Sequence, residues 1–195
     1  MKKIKIDNTI YTANTDFRIA IECNRIANDD TIGKYERGLG IICTMFGAEG
    51  LDNPEHYQKL LNWILEYLSC GKEIENDNEE PDMDYTEDMD YIEASFMSDY
   101  KIDLTKEEMD WQKFYKLMNG LSNSEMGNCC ILNRVRNLRN LDLKEIKDAK
   151  ERERLRKAKK EVALKRNIIK KTFTSIEKKN MEEFNKLMER SNNES

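Results

Sequence analysis

Six residues of this chain have the spacing of a cation site. Asp82, Asp84, Thr86, Asp88, Asp90 and Glu93 fall at positions 1, 3, 5, 7, 9 and 12 of a calcium-binding loop. The sixth position of such a loop is glycine, because the backbone turns sharply there, and this chain has Glu87. In a stretch this acidic, alternate carboxylates recur by composition alone, so 72–90 reads as a solvated loop and no metal site is assigned. His56 is the only histidine, and it stands two residues after Pro54 in an expected first helical turn. No Ser or Cys nucleophile accompanies it in sequence, so it reads as a surface residue. Phosphate-cradling glycine loops, nucleophile elbows and HExxH are absent from the sequence. The five cysteines are odd in number and form no CxxC, which predicts free thiols in a reducing cytosol. The expectation is a protein that is not an enzyme, with no catalytic residues and no cofactor.

Binding chemistry is better represented. Trp111 and Phe114 share a helical stripe with Leu117, Met118 and Leu121, and are assigned to the core. Trp63 and Tyr67 lie off the Leu60–Ile64–Leu68 face, which predicts partial exposure and an apolar partner contact. Residues 139–171 hold fourteen bases against six acids, and 72–90 holds ten acids against one base. Arg152, Arg156 and Lys160 are the candidates for an electrostatic contact. Glu151, Glu153 and Glu161 interrupt that basic field and no aromatics interleave it, so a partner-binding or solvated helix is favoured over nucleic-acid contact.

The elements that position these residues follow from periodicity and punctuation. Lys3–Asp7 and Thr9–Ala13 predict a hairpin turning at Asp7-Asn8. A first helix follows, with Asn14 and Thr15 offering cap oxygens, and ends near 28–30. A second spans Lys34–Phe46 despite Gly38 and Gly40. Asp52 or Asn53 caps a third, with Pro54 in its first turn and Gly71 as its stop. Order returns at Tyr91. Asp103 or Thr105 caps the Trp111 helix, with Thr105 and Glu108 at capping-box spacing. A shorter helix carries Met126, Cys130, Leu132, Val135 and Leu138. A long charged helix is expected from about Asp142 to Asn167, and a last one around Phe173–Leu187 follows or continues it.

The expected fold is all-α, mainly helical, with a short N-terminal β-hairpin and a long charged C-terminal helix or helices. Pro 2 and Gly 8 among 195 residues are too few for a turn-rich barrel or sandwich. A helical domain is expected over 1–138 and a charged helical extension over 139–195. With 38% hydrophobic and 36% charged residues, the chain suits a modest core under long solvated helical faces. Met1-Lys-Lys leads into an alternating polar stretch, so no signal peptide is expected, and the apolar runs are far short of a membrane span.

The order of segments resembles a phage family. The residues that carry the likeness are Ile6-Asp7-Asn8-Thr9-Ile10-Tyr11 with Asn14-Thr15-Asp16-Phe17-Arg18, and Tyr91-Ile92-Glu93-Ala94-Ser95-Phe96 leading to Ile102-Asp103-Leu104. Trp111, Phe114, Leu117, Gly120-Leu121, Ile131, Arg136, Ile146-Lys147-Asp148 and the basic Arg152–Lys160 stretch continue it. Together these resemble the tail assembly chaperones of long-tailed phages and prophages of Gram-positive bacteria, over about residues 4–165. Two departures stand out. The family often has a Trp pair where this chain has Asp110, Trp111 and Gln112, and often glycine where it has Lys101. The resemblance implies a protein of the host bacterial cytoplasm, absent from the mature virion. It would bind and solubilise the tape measure protein and help recruit tail tube subunits. Self-association is left open and no membrane is involved. The alternative is a nucleic-acid-binding or regulatory phage protein that uses the basic helix 139–171.

Overall fold

The computed structural model describes residues 1–72, 81–123 and 129–165. The expected helix at 173–187, Met126 and the first part of the acidic stretch lie outside them. Within the described residues the chain is mostly helical behind an N-terminal hairpin, and it divides into two compact units. Of the described residues, the first unit holds 1–72, 85–123 and 129–134, and the second holds 81–84 and 135–165.

The first unit opens on strands β1 (Lys2–Ile6) and β2 (Thr9–Ala13), paired antiparallel with Ile4 opposite Tyr11. Asp7 adopts φ 51° in the two-residue turn, as expected of Asp or Asn there. Alternation buries Ile6, Tyr11 and Ala13 and leaves Lys3, Lys5, Ile10 and Thr12 in solvent.

Helix α1 (Phe17–Ala27) begins at Asp16, whose carboxylate accepts from the Arg18 N–H at 2.9 Å. The cap is therefore Asp16 and not Asn14 or Thr15. Helix α2 (Lys34–Phe46) keeps its expected bounds. A Cβ on Gly38 would stand 3.4 Å from Leu61, and one on Gly40 would stand 3.4 Å from Ile26. The two glycines thus sit where helices approach closely, and that packing offsets their low helix propensity. Asn53 caps a short 3-10 turn, Pro54–His56, which leads into α3 (Tyr57–Ser69). Helix α3 ends on two left-handed residues, Cys70 and Gly71.

The acidic stretch is more structured than its composition predicts. Helix α4 (Met89–Tyr100) starts inside it, and Asp88 is 1% exposed. Tyr85 packs its ring on Trp111 and Phe114 at 5.5 and 6.3 Å. A solvated loop therefore does not describe 85–90. Helix α4 closes on Lys101 at φ 59°, in the left-handed region where glycine carries no Cβ penalty.

Thr105 caps nothing. Its N–H and hydroxyl both bond the Asp103 carboxylate in a local turn. Helix α5 (Trp111–Asn119) is instead capped by Asp110, which accepts from Gln112 at 2.9 Å. Phe114 is fully buried, with its ring stacked on Phe17 at 4.6 Å and on Phe96 at 5.2 Å. The assignment of Trp111 and Phe114 to the core holds. The starts of α1 and α5 are tied together: Phe17 donates to Met109 O and Trp111 to Thr15 O, both at 2.9 Å. Helix α6 (Ile131–Asn140) opens in this unit with Leu132 buried.

In the second unit the last residues of α6 grip Asp82. Arg136 Nε and Asn140 Nδ2 reach its carboxylate at 3.2 and 2.9 Å, and Arg139 Nη1 donates to its carbonyl at 2.8 Å. Arg139 Nε also donates to Val162 O at 2.6 Å. Helix α7 (Ala149–Glu161) is capped by Asp148, which accepts from Glu151 at 2.7 Å. It is shorter than the expected 142–167, because Asp142 closes a separate turn by accepting from Lys144. Among the described residues no helix is long and apolar enough to cross a membrane.

Candidate functional site

In the first unit, α3 and the hairpin build an aromatic ledge under a cation. Trp63 is half-buried and lies flat on Tyr67, with centroids 5.2 Å apart and planes 5° from parallel. Phe46 at the end of α2 packs 5.7 Å from Trp63. Lys2 shares the inward face of β1 with Ile4 and Ile6, so its ammonium reaches over both rings, 5.8 Å from Trp63 and 5.7 Å from Tyr67.

Tyr67 corrects one expectation. It is 4% exposed and forms the floor of the ledge. Its hydroxyl donates to Asp110 Oδ2 at 2.9 Å and stands 3.4 Å from Thr15 O. Burial, reinforced by the hydrogen bond to the Asp110 carboxylate, pushes its phenol well above the ordinary tyrosine range. The α3 stripe is rotated accordingly. Leu60, Ile64 and Tyr67 face the core, and Leu65 is 51% exposed.

The basic candidates share α7 in the second unit, but only part of their charge is free. Arg152 folds back, with Nε and Nη2 donating to Ile146 O at 2.9 and 2.6 Å. Arg156 pairs with Glu153 at 3.0 Å, and Arg154 with Glu151 at 2.6 Å. Lys160 is exposed on the last turn. These pairs are one helical turn apart and solvent-exposed, so each is worth little to stability. They lower the net field that the helix presents.

His56 is also corrected. It is 6% exposed, with Nδ1 2.8 Å from the Tyr11 hydroxyl and Nε2 3.2 Å from Asp7 Oδ2. Asn53 Nδ2 stands 3.3 Å from the same Nε2. The ring thus faces the Tyr11 hydroxyl on one side and the Asp7 carboxylate on the other. Lys59, at 2.7 Å, holds the Asp7 carboxyl below the usual carboxylate range. The Tyr–His–Asp order has the look of a proton relay. Tyr11, however, is 3% exposed and its phenol is raised by burial, so no substrate reaches it and it does not ionise readily. The cluster ties the hairpin to the start of α3.

The five cysteines form no disulfide. Burial pushes Cys23 up to about 12, which leaves it inert. Among the described residues no His, Cys, Asp and Glu group could hold a metal ion. Asp82, the first residue of the calcium-like spacing, is spent on Arg136 and Asn140.

The structure thus brings Trp63 and Tyr67 together, and places Arg152, Arg156 and Lys160 on one helix of the other unit. Residue spacing did not point to Lys2, Phe46 or Asp110 as members of the ledge. Only Lys2 left a signal, through its alternation with Ile4 and Ile6. No curated protein and no solved structure matches the chain. Residues 1–164 match the family described as Bacteriophage Gp15 protein, and the chain belongs to that bacteriophage family.

Proposed function

We propose that this chain is a phage tail assembly chaperone that acts in the host bacterial cytoplasm. It binds and solubilises the tape measure protein and helps recruit tail tube subunits. The observation that carries this reading is membership of a bacteriophage family across residues 1–164, together with the ordered motifs over about residues 4–165 that resemble the tail assembly chaperones. The surface supports it in kind. Trp63 is a half-buried aromatic on a rigid base, a form suited to anchoring one apolar side chain of an amphipathic client helix. The exposed charge of α7, on the other unit, is a surface of its own suited to a polar, reversible contact.

Co-expression with the tape measure protein encoded nearby tests the reading. The client becomes soluble and co-purifies if it is correct. Retention at high salt assigns the contact to the ledge, and loss at high salt assigns it to α7. A client that stays insoluble beside a folded chain overturns the reading. Salt-sensitive nucleic-acid binding in its place would establish the alternative.

A further inference from the structure

The outward edge of β1 is open. Its two-residue turn makes Ile6 and Thr9 the closing hydrogen-bonded pair. The antiparallel ladder alternates, so Ile4 opposite Tyr11 and Lys2 opposite Ala13 are bonded across as well. Lys3 and Lys5 must then turn their N–H and C=O groups away from β2, as must Ile10 and Thr12 on the other strand. Just past the end of β2, Asn14 N donates to Met45 O at 2.8 Å, so α2 covers that end of the β2 edge, while Ile10 and Thr12 remain exposed. On the β1 side, among the described residues, neither Lys3 nor Lys5 makes a backbone bond to any further element. Both lysines are exposed.

An open edge is a template for another strand, and its charge selects which one. β1 carries Lys2, Lys3 and Lys5 in five residues and no acid. Pairing with a second copy of β1 would set ammonium against ammonium, which is destabilising. A strand with carboxylates at alternate positions would set a negative charge beside Lys3 and Lys5 on the solvent face. We propose that the β1 edge is a binding site for an extended acidic segment of a partner protein, which adds as a third strand. The outward Lys3 and Lys5 groups are distinct from the Trp63 ledge, which takes only Lys2 from this strand, and the site stands whether or not the client is a tape measure protein.

The test uses the full chain and a fluorescent seven-residue peptide alternating Glu and Val. A Lys–Val peptide serves as control. The Glu–Val peptide should bind and slow hydrogen exchange at the Lys3 and Lys5 amides, leaving that at Ile4 unchanged. The variant Lys3→Glu/Lys5→Glu should bind it about tenfold more weakly and prefer the Lys–Val peptide, since two cross-strand attractions become repulsions. Lys3→Pro removes one outward donor without touching the β1–β2 bonds, and should weaken both peptides while the melt stays two-state. Three results overturn the proposal: no Glu–Val binding, binding that leaves the Lys3 and Lys5 amides unprotected, or a concentration-dependent dimer that protects the same amides.

Discussion

The Tyr67–Asp110 hydrogen bond fixes the floor of the aromatic ledge, and its strength can be isolated. Tyr67→Phe removes the hydroxyl, which donates to Asp110 at 2.9 Å. Asp110 is exposed, so water replaces the lost donor, and the cost should be about 1–2 kcal/mol. Asp110→Ala does more. It removes the cap on Gln112 N, costing about 1 kcal/mol. It also leaves a buried hydroxyl with only the 3.4 Å contact to Thr15 O, costing a further ~1–3 kcal/mol. In the double variant the second penalty disappears, because no hydroxyl is left to orphan. The cycle should therefore show a coupling of about 1–2 kcal/mol. Urea unfolding followed by circular dichroism reads each corner, and at this chain length 1 kcal/mol moves Tm by about 2–4 °C. Additivity within about 0.5 kcal/mol would mean that the two residues do not hold each other, and the ledge would have no fixed floor.

Phe114→Ala should cost about 3–5 kcal/mol, because its ring is fully buried among Phe17, Phe96 and Trp111; calorimetry should show a broad, early transition. Lys101→Gly should raise Tm by a few degrees at most, about 1 kcal/mol, since it relieves a left-handed lysine; an unchanged or lower Tm contradicts the strain. Asp103 sits at about 2, held down first by its bond to Lys106 and then by the Thr105 hydroxyl. Its contribution to stability is complete above its ordinary value of 3.8 and fades as pH falls through about 2. A carboxyl NMR titration reads the midpoint, and Asp103→Asn should remove that part of the acid limb. Trp63→Ala should leave a cooperative melt and weaken client binding by about tenfold or more, measured by titration calorimetry.

The hairpin and the central helices were legible because their signals are local. Asp7-Asn8 sits between alternating strands, and the apolar stripes of α1, α3 and α5 repeat within a turn. The errors come from two other sources. One is competition among equivalent local signals: Asn14, Thr15 and Asp16 all cap helices well, as do Asp142 and Asp148, and only the tertiary setting selects Asp16 and Asp148. The other is distance. His56 looked superficial because Tyr11 and Asp7 lie far away in sequence, and Tyr67 looked exposed because Asp110 does. Tyr85 sits in a stretch whose charge predicts solvation, yet its ring finds Trp111. Composition describes the average residue of such a stretch and misses the one aromatic that docks.

The backbone tie between the starts of α1 and α5 also bears on synthesis. Phe17 N–H is satisfied by Met109, and Thr15 O by Trp111, so the start of α1, although α2 follows at once, lacks its tie to α5 until nearly the whole first unit has been made. At ordinary elongation rates the wait is about 5–20 seconds. Through that interval Phe17 has no Phe114 ring to stack on, and a chain cut short of α5 should stay soft and protease-sensitive. The tie itself can close only as α5 clears the ribosome.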